Sequence, residues 1–429
     1  MLAIIGSALL SSCSQKPDSA SASGDVKVRI PWQNEKGEYK LQLIELSGLS
    51  SLYEMSGAFA RFFFAPGIQD NHLIGEAPQG RFIKISGDEF VPANELSKTL
   101  ATIYAHMQRL AALDAKAGVG DVNQWPRDIG VGVRVNNSNS AMKENNAFYD
   151  GKTDSLLFVP YVGQDLPISV NAGILAHEHF HSLFYKIVIK PNAAKFKQAS
   201  LKEASNHDAQ AYYKSMGLDL MSPFGEQEEF DSSDINEKVR GLYHLAILRG
   251  LNEGLADFWA WIYTGDTDFV TRSLPKEKQR TLKAASPRIY GKSDILRHVQ
   301  NFLRIDRDKA EGYTKRFAYY IGTDYSRAFK NFTDLYASEH SVSSREARGT
   351  VAAMVLKVLP SFAQGYVAAL GKGEYEPTDV FTQFVAQNSL SQKECEHFAD
   401  IVTLTTGSSY DCKDDQGAFK IKIREAVTP

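Results

Sequence analysis

Two short runs carry residues whose types and spacing can do chemistry: His177-Glu178-His179-Phe180-His181 and Asn252-Glu253-Gly254-Leu255-Ala256-Asp257. In the first, His177 and His181 stand four apart. On a helix such residues point the same way, so both imidazoles can hold one ion from one face. The pattern H-E-x-x-H predicts zinc, which takes imidazole nitrogen at roughly 2.0–2.1 Å and in a catalytic site keeps one position for water. Glu178 follows the first histidine, where it overhangs that water rather than binding the ion. The metal acidifies the water and Glu178 takes its proton. The hydroxide attacks a polarised carbonyl, and Glu178 returns the proton to the leaving amine. His179 points away from the ligand face and either supports the site from behind or packs.

With 10 histidines among 429 residues, a chance H-E-x-x-H is expected only about 0.015 times in such a chain. Ile174, Leu175, Ala176, Phe180, Leu183, Phe184 and Ile187 surround the histidines at helical spacing. A third ligand is still needed, and Glu253 is the best placed. It lies in an apolar helical stretch, residues 242–262, where an unpaired carboxylate is costly to bury. Asp257 stands one turn on, facing the same way, where it can accept the distal N–H of a ligating histidine. Phe258, Trp259 and Trp261 argue against a fully solvated helix.

The metzincin extension requires Gly at 184 and His at 187, where this chain has Phe184 and Ile187. The chain instead resembles the gluzincin metallopeptidases, specifically the thermolysin-like and fungalysin-like group. In that group the H-E-x-x-H helix is followed by one reading N-E-x-x-x-D or G-E-G-W-x-D-F, and here Asn252 to Phe258 matches it. Upstream, Asn145-Asn146-Ala147-Phe148-Tyr149-Asp150-Gly151 is similar to the family's N-A-F-W/Y-x-G edge strand. The resemblance implies that Asn146 and Ala147 contact the backbone of an extended peptide added to the sheet edge. Asp150-Gly151 is by itself a hairpin signal.

The resemblance covers roughly residues 92–185 and 240–335 and implies an α+β, zincin-type two-lobe fold. Its β-rich amino-terminal lobe and mainly helical carboxy-terminal lobe would have the zinc helix between them. The chain also departs from the pattern. His181 and Glu253 are 72 positions apart, wider than in thermolysin, and the family's acidic calcium clusters are not recognisable, so no calcium is expected. For a transition-state hydrogen-bond donor the resemblance suggests Tyr243 or His244. It also suggests Tyr319, because Phe317-Ala318-Tyr319-Tyr320-Ile321-Gly322 is similar to the fungalysin H-x-I-G helix. A phenol can donate to a developing oxyanion, although such aromatics also serve as ordinary core.

Several elements must position these groups. Asn94 predicts the cap of a helix carrying Leu96, Leu100, Ile103, Met107 and Leu110. Ile129, Val131, Val133 and Val135 alternate with polar or small residues as a strand does. Residues 26–91 read as β-rich, with Val26, Val28 and Ile30 alternating and Leu41-Gln42-Leu43-Ile44 as a second segment. Pro31 is expected to end the first strand because it cannot donate to a ladder. This region either extends the amino-terminal sheet or is a short covering segment. Residues 92–186 form the lobe with the edge strand and zinc helix. Residues 187–239 read as a polar insertion on the cleft rim, and 240–429 as the helical lobe.

Residues 1–10 are apolar and lead into Leu10-Ser11-Ser12-Cys13, which resembles the bacterial lipoprotein lipobox. That implies lipidation of Cys13, a tether over residues 14–25 and a place in the bacterial envelope, with Ser14 favouring the outer membrane. No Lys or Arg precedes Cys13, so either the start lies upstream or the signal is minimal. In an oxidising compartment Cys395 and Cys412 are the expected disulfide. A net charge of −3 gives no reason to expect nucleic acid. The expected function is zinc-dependent endopeptidase action on a peptide or protein substrate. A silent zinc-binding lipoprotein is the alternative from another class, but it has no use for Glu178. An exopeptidase on the same scaffold is the other, and the G-x-M-E-N anchor of one such family is absent. Oligomeric state is not legible.

Overall fold

A computed structural model describes residues 23–34, 37–133, 146–163, 165–198, 235–370, 375–415 and 418–423. Cys13, Val135, Asn145 and most of the 187–239 insertion lie outside them. The fold is α+β, with a β-rich amino-terminal region and a mostly helical carboxy-terminal half. Strands β1 (Gly24–Gln33), β2 (Tyr39–Ser51), β3 (Ser56–Gly57), β4 (Ala60–Phe64), β5 (Gly67–Gln69), β6 (His72–Ile74), β7 (Phe82–Ser86) and β8 (Glu89–Pro92) come first. Helix α1 (Glu95–Lys116) leads to β9 (Arg127–Val131), β10 (Ala147–Asp150) and β11 (Ser155–Phe158). One sheet has the order β3-β2-β1-β8-β7 and the other β10-β11-β9-β4, with β5 and β6 paired apart.

Val26, Val28 and Ile30 are buried as their alternation predicts. The expectation that Pro31 ends β1 is wrong. Lys27 N–H donates to Asp88 at 2.9 Å, so the odd-numbered residues of β1 turn their amides toward β8. That strand pairs with β1 only at Lys27 and Val28. Pro31 therefore lacks a donor where no ladder runs, and β1 continues beside β2 to Gln33. Residues 26–91 divide between sheets. Strand β4 pairs in parallel with β9 from Ala60↔Arg127 to Phe64↔Val131, at the edge of the sheet opposite β10. Within the region only β4 extends that sheet, while β1, β2, β3, β7 and β8 form a sheet of their own.

Asn94 caps α1 by accepting from Ser97 N–H at 2.9 Å, and Leu100, Ile103, Met107 and Leu110 are fully buried. The alternating strand through Val135 is shorter than expected. It ends at Val131, because Gly132 turns the chain at φ +68°. Helix α2 (Ala172–Phe184) carries the histidines and is buried on every face. Asn171 Oδ1 caps it by accepting from Gly173 N–H and Ile174 N–H. Tyr39 from β2 accepts the Ala172 N–H at 2.8 Å. The chain then runs through a π-helical turn (Tyr185–Ile189) and a short 3₁₀ turn into α3 (Ala193–Gln198). Val188, Ile189 and Phe196 are buried, so the start of the expected polar insertion instead continues the helical core.

The helical half comprises α4 (Ile235–Thr264), α5 (Phe269–Ser273), α6 (Lys292–Ile305), α7 (Ala310–Glu339), α8 (Ser344–Leu370), α9 (Asp379–Gln387) and α10 (Gln392–Thr406). Helix α8 is long and apolar enough to span a membrane, but Val351, Val355, Leu359, Phe362 and Tyr366 are buried in the protein's own core. The reading of 240–429 as helical fails at the end, where β12 (Tyr410–Asp415) and β13 (Ala418–Ile423) form an antiparallel hairpin. Its alternation of Tyr410 and Cys412 with Phe419 and Ile421 lays one face on the helices. Cys395 of α10 and Cys412 of β12 form the expected disulfide, with Cα atoms 6.0 Å apart.

One crossing sets the position of Glu253. Gly250 and Gly254 of α4 meet Gly322 of α7, and a Cβ on Gly322 would stand 2.8 Å from both Gly250 O and Gly254 N. The two backbones therefore touch directly. A side chain at 254 would lie 2.9 Å from Gly322 Cα. Gly254→Val is expected to destabilise the fold by about 2–3 kcal/mol, read as a lower urea midpoint. A loss under about 0.5 kcal/mol would mean that the helices separate freely.

Candidate metal centre

Helices α2 and α4 pack together and bring three donor side chains to one point. His177 Nε2 and His181 Nε2 lie 3.0 Å apart, and Glu253 Oε2 lies 3.5 and 3.9 Å from them. A tetrahedral ion with bonds of roughly 2.0–2.1 Å needs donor–donor edges of about 3.4 Å. The triangle fits. The tautomers fit as well. Asn252 Oδ1 lies 3.0 Å from His181 Nδ1, and an amide oxygen only accepts, so the proton sits on Nδ1 and the Nε2 lone pair faces inward. Asp257 Oδ1 lies 2.8 Å from His177 Nδ1 and imposes the same tautomer there. Two imidazole lone pairs thus converge with a carboxylate in a buried pocket that can hold a metal ion.

The charge balance points the same way. Three carboxylates, Glu178, Glu253 and Asp257, are buried here. Arg280 binds Asp257 through two bonds, at 3.1 and 2.6 Å, and Arg249 Nε stands 3.8 Å from Glu253 Oε1. Burial opposes charge on His177, yet Asp257 and Glu253 outweigh it and lift its pKa to about 9, so a proton competes with a cation for the inward lone pair on Nε2. Burial pushes Glu178 up to about 8, with Glu253 adding to the effect. Burial also opposes the charge on Asp257, but Arg280 and His177 hold its pKa below the ordinary carboxylate value. The pocket favours added positive charge.

Glu178 is 8% exposed, the most open of the four central residues, while Glu253 is at 1%. Its Oε2 accepts the Tyr149 N–H at 3.1 Å. That bond follows from strand parity. Val159 N–H donates to Asn146 O, so residue 146 turns its carbonyl toward β11, and Ala147 and Tyr149 turn their backbone groups outward. Strand β10 is the edge of its sheet, and Asn146 and Ala147 lie along that edge. Asn146 Oδ1 accepts the Ala147 N–H at 2.9 Å. His179 faces away from the donors, with Nε2 3.0 and 2.9 Å from the two oxygens of Asp114.

Not every expected residue belongs to this centre. Tyr243 and His244 precede Glu253 by ten and nine positions on one continuous helix, roughly 14–15 Å along its axis. Nine residues make about two and a half turns, which puts His244 on the face opposite Glu253. The Tyr243 hydroxyl donates to Tyr375 O at 2.8 Å. His244 is buried against Tyr243 and Tyr366, and burial pulls its pKa down to about 4. Both are core residues, because α4 begins well upstream of Glu253 instead of looping past the site. Tyr319 lies closer: its half-buried ring stacks under Arg280, 4.8 Å from the guanidinium carbon.

Four further groups contribute to the centre. Asn252 is legible in the sequence, since it adjoins Glu253. Arg249 stands four before Glu253, a helical ion-pair spacing. Arg280, 23 positions beyond Asp257, and the Tyr149 amide left no local signal. Asp257→Asn keeps the shape but loses the charge that pairs with His177 and Arg280. It is expected to weaken metal affinity about 10–100-fold, measured by competition with a fluorescent chelator. Unchanged affinity would refute the orienting role. Compared with protein-family models the sequence matches none, and no curated protein matches it.

Proposed function

We propose that this chain is a zinc-dependent endopeptidase of the gluzincin kind, exported and tethered through Cys13. The observation that carries the reading is the placement of Glu178. It stands beside converging imidazole and carboxylate donors and is bonded to the outward amide of a sheet edge. An edge strand can take an extended peptide as one more strand, which would bring a carbonyl to the base. Zinc, when bound, supplies a Lewis acid that acidifies water and polarises that carbonyl.

The chain's own residues then have defined tasks. His177, His181 and Glu253 hold the ion, with Asp257 and Asn252 fixing the two imidazoles. Glu178 Oε2 is engaged by Tyr149, which leaves Oε1 to take the proton of the attacking water. The water oxygen bonds to the carbonyl carbon, the C–N bond breaks, and Oε1 delivers the proton to the leaving nitrogen. Tyr319 and Arg280 lie together beside Asp257 and are assigned as donors for the developing oxyanion, in place of Tyr243 and His244. The disulfide supports export.

The test is cleavage of casein by residues 24–429, with one equivalent of zinc and with a chelator, sequencing the products. Metal-dependent internal cuts establish the endopeptidase. Trimming from the ends assigns an exopeptidase. Full zinc occupancy without cleavage assigns a binding protein, and no bound zinc in a folded sample removes the reading.

A further inference from the structure

The face of α2 turned away from the metal donors carries its own polar network. Asn123 Oδ1 accepts from Ser182 Oγ at 3.0 Å, from Lys186 Nζ at 3.0 Å and from Arg127 Nη1 at 2.6 Å. Its amide nitrogen donates to Asp114, which also holds His179. At the outer end of the network lies Asp154, on the turn between β10 and β11. Its carboxylate receives Arg127 Nη2 at 2.9 Å, Lys186 Nζ at 2.6 Å and the Tyr149 hydroxyl at 3.0 Å. These partners come from β9, from the helical extension of α2 and from the edge strand. Asp154 also sits at φ +51°, a left-handed conformation that non-glycine residues adopt sparingly and that clusters at functional sites.

We infer that Asp154 is a positioning residue for Glu178: by holding the Tyr149 hydroxyl and the two cations around it, it sets where the Tyr149 amide meets the Glu178 carboxylate. This rests on the peptidase reading, in which Glu178 is the base. Tyr149 is fastened at both ends, its hydroxyl to Asp154 and its N–H to Glu178. Its ring is buried, with the Arg127 guanidinium 5.9 Å from the ring centre. The Arg127 side chain is 1% exposed and that of Lys186 13%, so the two cations depend on one carboxylate. Neutralising it leaves both short of a counter-charge inside the protein. The cations then hold the turn less firmly, the anchor of Tyr149 shifts with it, and the displacement reaches Glu178 through a single residue. The network thereby ties the substrate edge and the zinc helix into one rigid piece.

Asp154→Asn tests this cleanly, because asparagine accepts the left-handed backbone as readily as aspartate. In the zinc-loaded full chain, kcat is expected to fall about 10–50-fold, within the range that loss of base positioning allows. KM is expected to stay within twofold and zinc content at one equivalent. A second readout needs no activity. Hydrogen exchange of the Tyr149 amide, followed in ¹⁵N-tyrosine-labelled protein and assigned by the signal missing in Tyr149→Phe, is expected to quicken at least tenfold while the other tyrosine amides hold. Asp154→Glu, which keeps the charge, is expected to recover part of kcat. Unchanged exchange at Tyr149 overturns the proposal, and so does unchanged kcat with faster exchange, since the contact would then not serve the reaction. A wild-type protein that cleaves nothing overturns the peptidase reading instead, and the exchange result still decides the contact. If Asp154→Asn does not fold, Tyr149→Phe removes only the hydroxyl bond and is expected to lower kcat in the same way; an unchanged kcat there also overturns the proposal.

Discussion

Glu178→Gln is expected to reduce casein cleavage by about 10³-fold while leaving zinc content at one equivalent, since a positioned general base contributes on the order of 10²–10⁴. Glutamine preserves the size of the side chain and an oxygen that can accept the Tyr149 N–H. It cannot take a proton from water at neutral pH. Glu178 is also not one of the three converging donors, so the metal has no reason to leave. Burial already raises the pKa of Glu178 to about 8, which means that its charge is held at a cost to the fold. The variant is therefore expected to melt no lower than the wild type. Cleavage within tenfold of wild type would remove Glu178 from the mechanism. Loss of zinc would show that it serves as a ligand after all.

The second large effect is expected at Glu253. Glu253→Gln removes the only carboxylate among the three donors and leaves Arg249, 3.8 Å from Oε1, facing a neutral amide. Both changes disfavour a cation. Zinc retained after dialysis is expected to fall below about a tenth of an equivalent, and hydrolysis to fall with it, because without the ion there is no acidified water. Chelation of the wild-type protein is the companion measurement. An ion present at a thousand times its dissociation constant stabilises the fold by about 4.1 kcal/mol, so removing it is expected to lower the melting midpoint by several degrees. Retention of a full equivalent by Glu253→Gln would assign the third ligand elsewhere. An unchanged midpoint on chelation would mean that the three donors hold no ion in the native protein.

How far the site was legible depended on how far apart its parts lie in the chain. His177 and His181 share one helical face because four residues bring a helix nearly full circle. Asn252, Glu253 and Asp257 obey the same local rule on α4. The alternation in β1 and the apolar spacing in α1 likewise placed Val28 and Leu100 in the core. Errors came where a local signal was overruled by a distant neighbour or by its absence. Pro31 stays in its strand because β8 stops short of it. Tyr243 and His244 leave the site because α4 is already helical ten residues before Glu253. The hairpin after α10 follows from its disulfide and its packing on the helices, which no helical period announces.

The sequence by itself determined that His177, His181 and Glu253 converge with Glu178 beside them, and on which helices, since repeating backbone geometry converts spacing directly into direction. Only the tertiary structure decided what surrounds them. Arg280 reaches Asp257 across 23 residues, and Asp154 joins Arg127, Tyr149 and Lys186 from three separate elements. The Tyr149 amide finds Glu178 from 29 residues away, and Ser326 of α7 reaches Gly254 O across 72 residues, an approach that Gly322 admits. Such contacts depend on which faces the packing of sheets and helices turns toward one another. That choice is made by the whole core, so no short window of residues contains it.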